Sequence, residues 1–167
     1  MGIRRHDLLK ENAEREGLVF VDVEVPDPMG EGGPAATQKL SLIHILAAHP
    51  MVEHVSYPGL VGDRYYDRAQ TYFQKGCGAI LPFTIRGGLA AGRKFIDSLN
   101  RFSLLANVAD AKSLVIHPAS TTHGQMSEQA LREAGIEPGM IRLSIGLEDV
   151  EDIWEDLAAG LAAAQEG

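Results

Sequence analysis

Apolar and polar residues alternate strictly along residues 141–145, where isoleucine and leucine flank Arg142 and Ser144. A period of two residues is the pattern of a β-strand with one buried face, and it projects Arg142 from the face opposite to Leu143. A guanidinium in the middle of a strand needs a partner. Arg142 is therefore the first candidate functional residue.

A second apolar segment, Ser113–His117, contains leucine, valine and isoleucine in succession. This run is typical of a buried strand. Pro118 follows it, and because proline offers no N–H to a sheet ladder, we expect a polar loop over residues 118–123 to leave the end of this strand. A strand-end loop and a mid-strand arginine are thus the features around which a site could form.

The rest of the chain predicts further helices and strands from its hydrophobic periodicity, with Asp63 and Ser127 as helix N-caps. Pro82 favours an edge or a bulge for its strand. The predicted helices cover 7–16, 37–47, 63–73, 88–99, 127–135 and 148–161, the last opened by acidic residues at its N-terminus, and the further strands cover 18–25, 52–57 and 79–85.

These elements predict an α+β fold. Several connections, above all the one from Asn107 to Ser113, are too short for a parallel crossover. We therefore expect a mostly antiparallel sheet of about four strands with helices packed on one face. Residues 26–34 are rich in glycine and proline and predict a linker. We accordingly expect an unrelated N-terminal arm and linker over residues 1–36 and the main domain over residues 37–167.

Composition excludes several classes of partner. The 167 residues carry a net charge of −8, and no run of lysine and arginine is longer than two residues, which argues against a nucleic-acid ligand. No window is apolar enough to span a membrane, so a soluble, cytoplasmic protein is expected. The single cysteine, Cys77, excludes an internal disulfide and a cysteine-rich zinc site.

The common catalytic and metal patterns are also weak. The spacing of the histidines at 44, 49 and 54, and of those at 117 and 123, does not suit metal ligands, so no metal site is predicted. Asp110, His117 and Ser120 supply the residue types of a nucleophilic triad, but no strained elbow motif presents the serine. No glycine-rich phosphate loop is present either.

Arg142 together with the Ser113 loop remains. A guanidinium binds a carboxylate through two parallel, charge-assisted hydrogen bonds, and a nearby serine hydroxyl or backbone N–H can add a third contact. This arrangement predicts a recognition site for an amino acid or an organic acid. The alternative is that Arg142 pairs with an aspartate or glutamate of the chain itself.

Two long segments carry a resemblance to a known family. They are Ala106–His123, with the sequence ANVADAKSLVIHPASTTH, and Ile141–Asp152, with the sequence IRLSIGLEDVED. Together with His49–Leu60 and Lys75–Ile80, they closely resemble the C-terminal domain of the Cys/Met-metabolism PLP-dependent enzymes, in particular the O-acetylhomoserine sulfhydrylases (O-acetylhomoserine aminocarboxypropyltransferases). The similarity covers about residues 45–165, a span long enough to make it highly specific.

The resemblance implies the small C-terminal domain of fold-type I PLP enzymes and a transsulfuration reaction. In such a reaction, O-acetylhomoserine and sulfide or a thiol give homocysteine or methionine, with pyridoxal 5'-phosphate as the cofactor. It also implies that Arg142 binds the substrate α-carboxylate, that Ser113 lies beside it, and that Asn107 and Thr121 lie near the mouth of the active site.

This sequence departs from the family where the cofactor binds. The resemblance implies a large N-terminal domain that carries the PLP lysine, the phosphate-binding residues and the acid that pairs with the pyridine nitrogen. No lysine of this chain lies in the Ser/Thr-rich setting of the PLP lysine, and residues 1–36 do not resemble the family. We therefore predict no catalytic, cofactor-binding or metal-binding residue here. The lysines are Lys10, Lys39, Lys75, Lys94 and Lys112.

Two hypotheses follow. In the first, the chain is the substrate-carboxylate-binding domain of a transsulfuration enzyme, truncated or fused to a foreign leader, inactive and without PLP when alone. In the second, it is a stand-alone binding or regulatory module, or an assembly module that docks onto a PLP domain. A homo-oligomer is expected by family, and an exposed apolar surface where the PLP domain would sit favours assembly.

Overall fold

A computed structural model describes residues 20–22, 39–73, 76–108 and 110–165 of the chain. The predicted helix over residues 7–16 and the predicted linker over residues 26–34 lie outside the described residues. The strands are β1 (Phe20–Asp22), β2 (Lys39–Ser41), β3 (Val52–Val55), β4 (Ile80–Ile85), β5 (Ser103–Leu104), β6 (Leu114–Ile116) and β7 (Met140–Ser144). The helices are α1 (Leu42–Ala48), α2 (Tyr66–Tyr72), α3 (Gly88–Ser98), α4 (Glu128–Glu133) and α5 (Val150–Gln165).

The described residues form a five-stranded sheet in the order β3-β4-β7-β6-β5 and a separate two-stranded sheet of β1 and β2. The pairs in the large sheet are antiparallel, apart from β5 and β6. This architecture confirms the α+β prediction with a mostly antiparallel sheet, although the sheet has five strands where about four were expected.

The expectation that the connection after β5 is too short for a parallel pair is wrong. Strands β5 and β6 are joined by residues 105–113 and pair in parallel, Ser103 with Leu114 and Leu104 with Val115. Because only two residues of each strand pair, at the edge of the sheet, the connection has to run back over a short distance, and it can do so without a helix. The usual minimum for a crossover applies to longer parallel strands.

The position of Pro82 also differs from the prediction of an edge or a bulge. Strand β4 lies inside the sheet, between β3 and β7, and Pro82 is paired with Arg142. The carbonyl oxygen of Pro82 accepts from Ser56 N at 2.9 Å, on the side of β4 that faces β3. In a strand the N–H and the C=O of one residue point to the same side, so the donor that Pro82 lacks would also face β3. The pairing of β3 with β4 ends there, at Val55 and Phe83. The missing donor therefore falls at a point where the ladder is already ending.

Of the two predicted N-caps, Ser127 is correct, because its hydroxyl accepts from Ala130 N at 3.2 Å at the start of α4. Before α3 the chain turns at Gly87, which adopts a left-handed conformation (φ 88°). Asp63 accepts from Tyr65 N at 2.8 Å, but α2 begins only at Tyr66. The Asp63 side chain thus closes a turn before the helix and does not cap the helix itself.

The hydrophobic core lies on one face of the large sheet. Alternate residues of β4 and β7 point into it, and α1, α3 and α5 cover it. The fully buried side chains of this core include Phe83, Phe95, Ile141, Leu143, Leu157 and Leu161. On α3 the buried positions are Ala91, Gly92 and Phe95, whereas Leu89 is 40% exposed.

Helices α3 and α5 cross closely at Gly160. A Cβ atom built there would lie 2.9 Å from both the Phe95 ring and Leu99 Cδ2. The buried carboxylate of Asp156 accepts from Asn100 N and Arg101 N, both at 2.9 Å, and ties α5 to the end of α3. The α3–α5 pair is therefore held by a small residue at the crossing and a carboxylate that satisfies two backbone donors.

The start of the main domain differs from the prediction of a helix over residues 37–47. Lys39–Ser41 forms β2, which pairs antiparallel with β1, and helix α1 begins only at Leu42. Strand β1 also lies against α5. The division of the chain at residue 36 stays a prediction.

None of the helices in the described residues is long and apolar enough to cross a membrane. The cytoplasmic location stays a prediction.

The close α3–α5 crossing predicts the effect of a side chain at Gly160. We expect Gly160→Val to lower the free energy of unfolding by about 1–3 kcal/mol, because the added methyl groups meet the buried Phe95 ring. The matched control is Ala159→Val, which adds the same β-branched side chain at an exposed position of the same helix and should cost only about 0.5 kcal/mol. Urea denaturation measures both, and equal losses would contradict the close crossing.

Candidate functional site

Arg142 lies in the middle of β7, between Ile141 and Leu143, which are both 0% exposed in the core. Because side chains alternate along a strand, Arg142 projects from the face of the sheet that α1, α3 and α5 do not cover. Its Nη2 donates to the carbonyl oxygen of Asn107 over a long 3.4 Å. No carboxylate of the described residues lies within ion-pairing distance of it, so the alternative of an internal acidic partner finds no support.

Ser113 is almost fully buried, at 1% exposure, and its polar groups are bonded within the protein. Its backbone N–H donates to Glu148 Oε1 at 2.6 Å and its hydroxyl to Glu148 Oε2 at 2.7 Å. The hydroxyl also accepts from Gly146 N at 2.9 Å, and the carbonyl oxygen accepts from Ser103 N at 3.1 Å. Ser113 therefore joins the start of β6 to β5 and to the segment that follows β7.

Glu148 is the residue of this region that the sequence interpretation missed. Its carboxylate was expected to open the last helix, but α5 begins at Val150 and Glu148 binds Ser113 instead. Burial raises the pKa of Glu148, but the two hydrogen bonds from Ser113 and the charge of Lys112 outweigh this and lower its pKa below the ordinary value of 4.5. An acidic residue between a strand and a helix is also typical of a helix N-terminus. The sequence alone therefore does not reveal that Glu148 binds Ser113.

Asn107 and Thr121 take different positions around Arg142. Asn107 is exposed, its carbonyl oxygen accepts from Arg142, and its amide donates to Asp110 at 3.2 Å. Thr121 lies in the turn that leaves β6, and its hydroxyl donates to the His117 carbonyl oxygen at 2.8 Å. Since Ile116 pairs with Arg142 in the sheet register, this turn begins beside the arginine.

The suspected triad of Asp110, His117 and Ser120 is only half assembled. His117 Nδ1 lies 2.8 Å from Ser120 Oγ, but its Nε2 lies 2.7 Å from the carbonyl oxygen of Pro138. Asp110 instead accepts from the backbone N–H of Lys112. The described residues therefore contain a His–Ser pair, with the histidine buried, and no acidic partner for it.

No group of three His, Cys, Asp or Glu residues in the described part of the chain is arranged to hold a metal ion.

Comparison with known proteins decides the family. The family model of the Cys/Met metabolism PLP-dependent enzymes matches residues 35–162. This chain belongs to that family.

Individual relatives of this family member agree with the assignment. The O-acetyl-L-homoserine sulfhydrylase of Leptospira meyeri is 50% identical over 123 residues, which are 73% of this chain and 28% of that protein. The O-acetyl-L-homoserine sulfhydrylase 1 of Thermus thermophilus is 49% identical over 74% of this chain and 29% of its own length. The crystal structure of cystathionine gamma synthase from Xanthomonas oryzae in complex with cystathionine superposes with a TM-score of 0.65 at 42% identity, over 74% of this chain and 32% of that one.

The family resemblance is thus confirmed, while this family member spans less than a third of the length of these relatives. PLP requires a lysine to carry it and a partner for its pyridine nitrogen. Lys94 and Lys112, whose side chains the structure describes, are both exposed on the surface. The described part of this family member therefore does not fit a PLP site by itself.

The Ser113–Glu148 contact predicts a specific pH dependence. Because the folded-state pKa of Glu148 is lowered, the contact contributes stability above pH 4.5 and loses it as the pH falls through that lowered pKa. We expect Glu148→Gln to lower the free energy of unfolding by about 1–3 kcal/mol at pH 7, since one of the two buried Ser113 donors loses its acceptor. The difference in the free energy of unfolding between Glu148→Gln and the unaltered chain should become smaller below pH 4.5.

Urea denaturation at pH 7 and at acid pH measures this difference. Glu53→Gln is the matched control, because Glu53 is an exposed carboxylate on β3. A Glu148→Gln penalty that equals the control, or that is the same at both pH values, would contradict the charged contact.

Proposed function

We propose that this chain is the substrate-carboxylate-binding domain of a PLP-dependent transsulfuration enzyme that acts on a homoserine ester. The observation that carries the proposal is the Arg142 guanidinium, which projects from the open face of the sheet with one long hydrogen bond and no acidic partner among the described residues. A guanidinium with most of its five donors free suits a bidentate contact with a carboxylate.

The relatives support the substrate class. The two proteins at about 50% identity are O-acetyl-L-homoserine sulfhydrylases by name. We infer the same reaction for an enzyme built with this domain, in which O-acetylhomoserine and sulfide or a thiol give homocysteine or methionine. Because the described residues do not fit a PLP site, we assign the cofactor to the additional length that such enzymes have, and we expect no sulfhydrylase activity from this chain alone.

The supporting residues have separate roles in this proposal. Arg142 binds the α-carboxylate. Ser113 precedes Leu114, which pairs with Ser144, and Ser144 is two residues beyond Arg142 on β7. Ser113 therefore holds the backbone in place at one end of the site. Asn107 orients the guanidinium through its carbonyl oxygen, and Thr121 lies on the turn at the mouth. The hydrogen bonds from Ser113 to Glu148 hold the end of the 105–113 connection.

Exposed apolar side chains support assembly over solitary function. Four of them lie close in sequence to the residues around Arg142, at the end of β5, in the connection that includes Asn107, and in the segment that follows β7. These residues are Leu104, Leu105, Val108 and Leu147, each more than half exposed. Apolar side chains grouped beside a charged site favour a covering partner, and we infer that a PLP domain, of the same or another chain, docks there. A homo-oligomer remains part of this proposal.

A chimeric enzyme tests the carboxylate role. Residues 35–162 replace the matching segment of the Leptospira meyeri sulfhydrylase, and kcat/KM is measured with O-acetylhomoserine and sulfide. We expect Arg142→Lys to lower kcat/KM by about 10- to 100-fold, because a lysine keeps the charge but loses the bidentate contact. Arg64→Lys, a change at an exposed arginine of another segment, is the control and should leave kcat/KM unchanged.

An inactive chimera would reject the domain assignment, whereas an active chimera that tolerates Arg142→Lys would reject the role of Arg142 alone.

Calorimetry on the isolated chain tests the second hypothesis, that of a stand-alone binding module. If amino-acid binding occurs there and is lost in Arg142→Ala, a stand-alone binding module is supported. Without such binding, the domain functions only in an assembly.

A further inference from the structure

Both carboxylate oxygens of Asp110, the acid of the triad that does not form, accept hydrogen bonds within the 105–113 connection. Oδ2 accepts from the side-chain amide of Asn107 at 3.2 Å, and Oδ1 accepts from the backbone N–H of Lys112 at 3.1 Å. A carboxylate that accepts from the N–H two residues further along the chain closes an Asx turn. Asp110 therefore joins one residue that precedes it in the connection to one that follows it.

The last residues of this connection are held by the segment that follows β7. The carbonyl oxygen of Ala111 accepts from Leu147 N at 2.9 Å, and Ser113 binds Glu148 through its N–H and its hydroxyl. Lys112 lies between these two anchored residues. The Asx turn is thus fastened to the fixed end of the connection.

The first residues of the connection lie at the surface and include the carbonyl group that Arg142 contacts. Residues 104–108 are exposed. The carbonyl oxygen of Asn107 accepts from Arg142 Nη2 at 3.4 Å, while the amide of the same residue donates to Asp110. The hydrogen bond to Asp110 therefore restricts where the Asn107 carbonyl oxygen can lie relative to the guanidinium.

The orientation of a guanidinium decides whether it can hold a carboxylate through two parallel hydrogen bonds. An arginine side chain that becomes ordered only when the ligand binds loses rotamer entropy at that moment, and earlier ordering removes this cost. A contact that holds the guanidinium in place before binding thus strengthens the binding of a carboxylate.

We propose that Asp110 is a positioning residue for substrate binding. It holds the Asn107 carbonyl oxygen against Arg142, and this contact keeps the guanidinium oriented for the α-carboxylate of the substrate. The inference rests on the carboxylate role of Arg142 proposed above. It adds a residue that does not touch the substrate and acts through Asn107.

Steady-state kinetics of the chimeric sulfhydrylase described above test this role. We expect Asp110→Ala to raise KM for O-acetylhomoserine about 2- to 10-fold, the effect of one lost hydrogen bond. The kcat and the KM for sulfide should stay unchanged, because the α-carboxylate is bound equally in the ground state and the transition state. Asp67→Ala, at an exposed aspartate of α2, is the control and should change none of these values.

Two further variants separate positioning from a merely structural role. Asp110→Asn should keep a normal KM, because its amide oxygen accepts from Lys112 N and its NH2 group donates to the Asn107 side chain once that amide turns over. Asn107→Ala removes the same hydrogen bond from the other side and keeps the backbone carbonyl group. The double variant with Asp110→Ala should therefore raise KM no more than either single variant. Additive effects, or a lower kcat at unchanged KM, would overturn the inference.

Arg142→Lys in the same chimera distinguishes failure of this inference from failure of the proposed function. A loss with Arg142→Lys but a normal KM in Asp110→Ala overturns the role of Asp110 alone, whereas normal values in both variants overturn the carboxylate role as well. A crystal structure of the full chain with Asp110→Ala supplies a readout that needs no activity. We expect the Asn107 carbonyl oxygen to lie beyond hydrogen-bond distance of Arg142 Nη2, and an unchanged contact would overturn the inference.

Discussion

The two-residue period of β7 is the constraint on which the rest of the structure depends. Ile141 and Leu143 are fully buried under the helices, and their burial fixes the register of the strand against β4 and β6. Arg142 is then forced to the opposite face, because a slip by one residue would bury a guanidinium in an apolar core. The packing of the core and the position of the candidate site are thus consequences of one alternation.

A second constraint holds the surroundings of Arg142 in place. Glu148 binds both the backbone N–H and the hydroxyl of Ser113, and Gly146 donates to the same hydroxyl. A Cβ atom at Gly146 would lie 2.5 Å from Ala111 O and from Glu148 Oε2, so the close approach requires glycine. This contact joins the connection that carries Asn107 to the strand that carries Arg142.

Local patterns in the sequence predict much of this arrangement, and the parts they miss depend on distant residues. The alternation in β7 and the Ser127 cap are each encoded within a few residues, and the structure confirms them. The parallel pairing of β5 with β6, the interior position of Pro82 and the partner of Glu148 depend on which segments meet in space. The roles of Arg142, Ser113, Asn107 and Thr121 came from family resemblance, and contact with a substrate stays a proposal for all four.

The central claim is that Arg142 binds the α-carboxylate of a homoserine ester. A crystal structure of the chimeric enzyme with the amide analogue of O-acetylhomoserine tests it most directly. The account predicts that both carboxylate oxygens of the analogue accept from the Arg142 guanidinium, with the Asn107 carbonyl oxygen still in contact. An analogue bound in the active site with its carboxylate on other residues, and with Arg142 bonded only to Asn107, would contradict it.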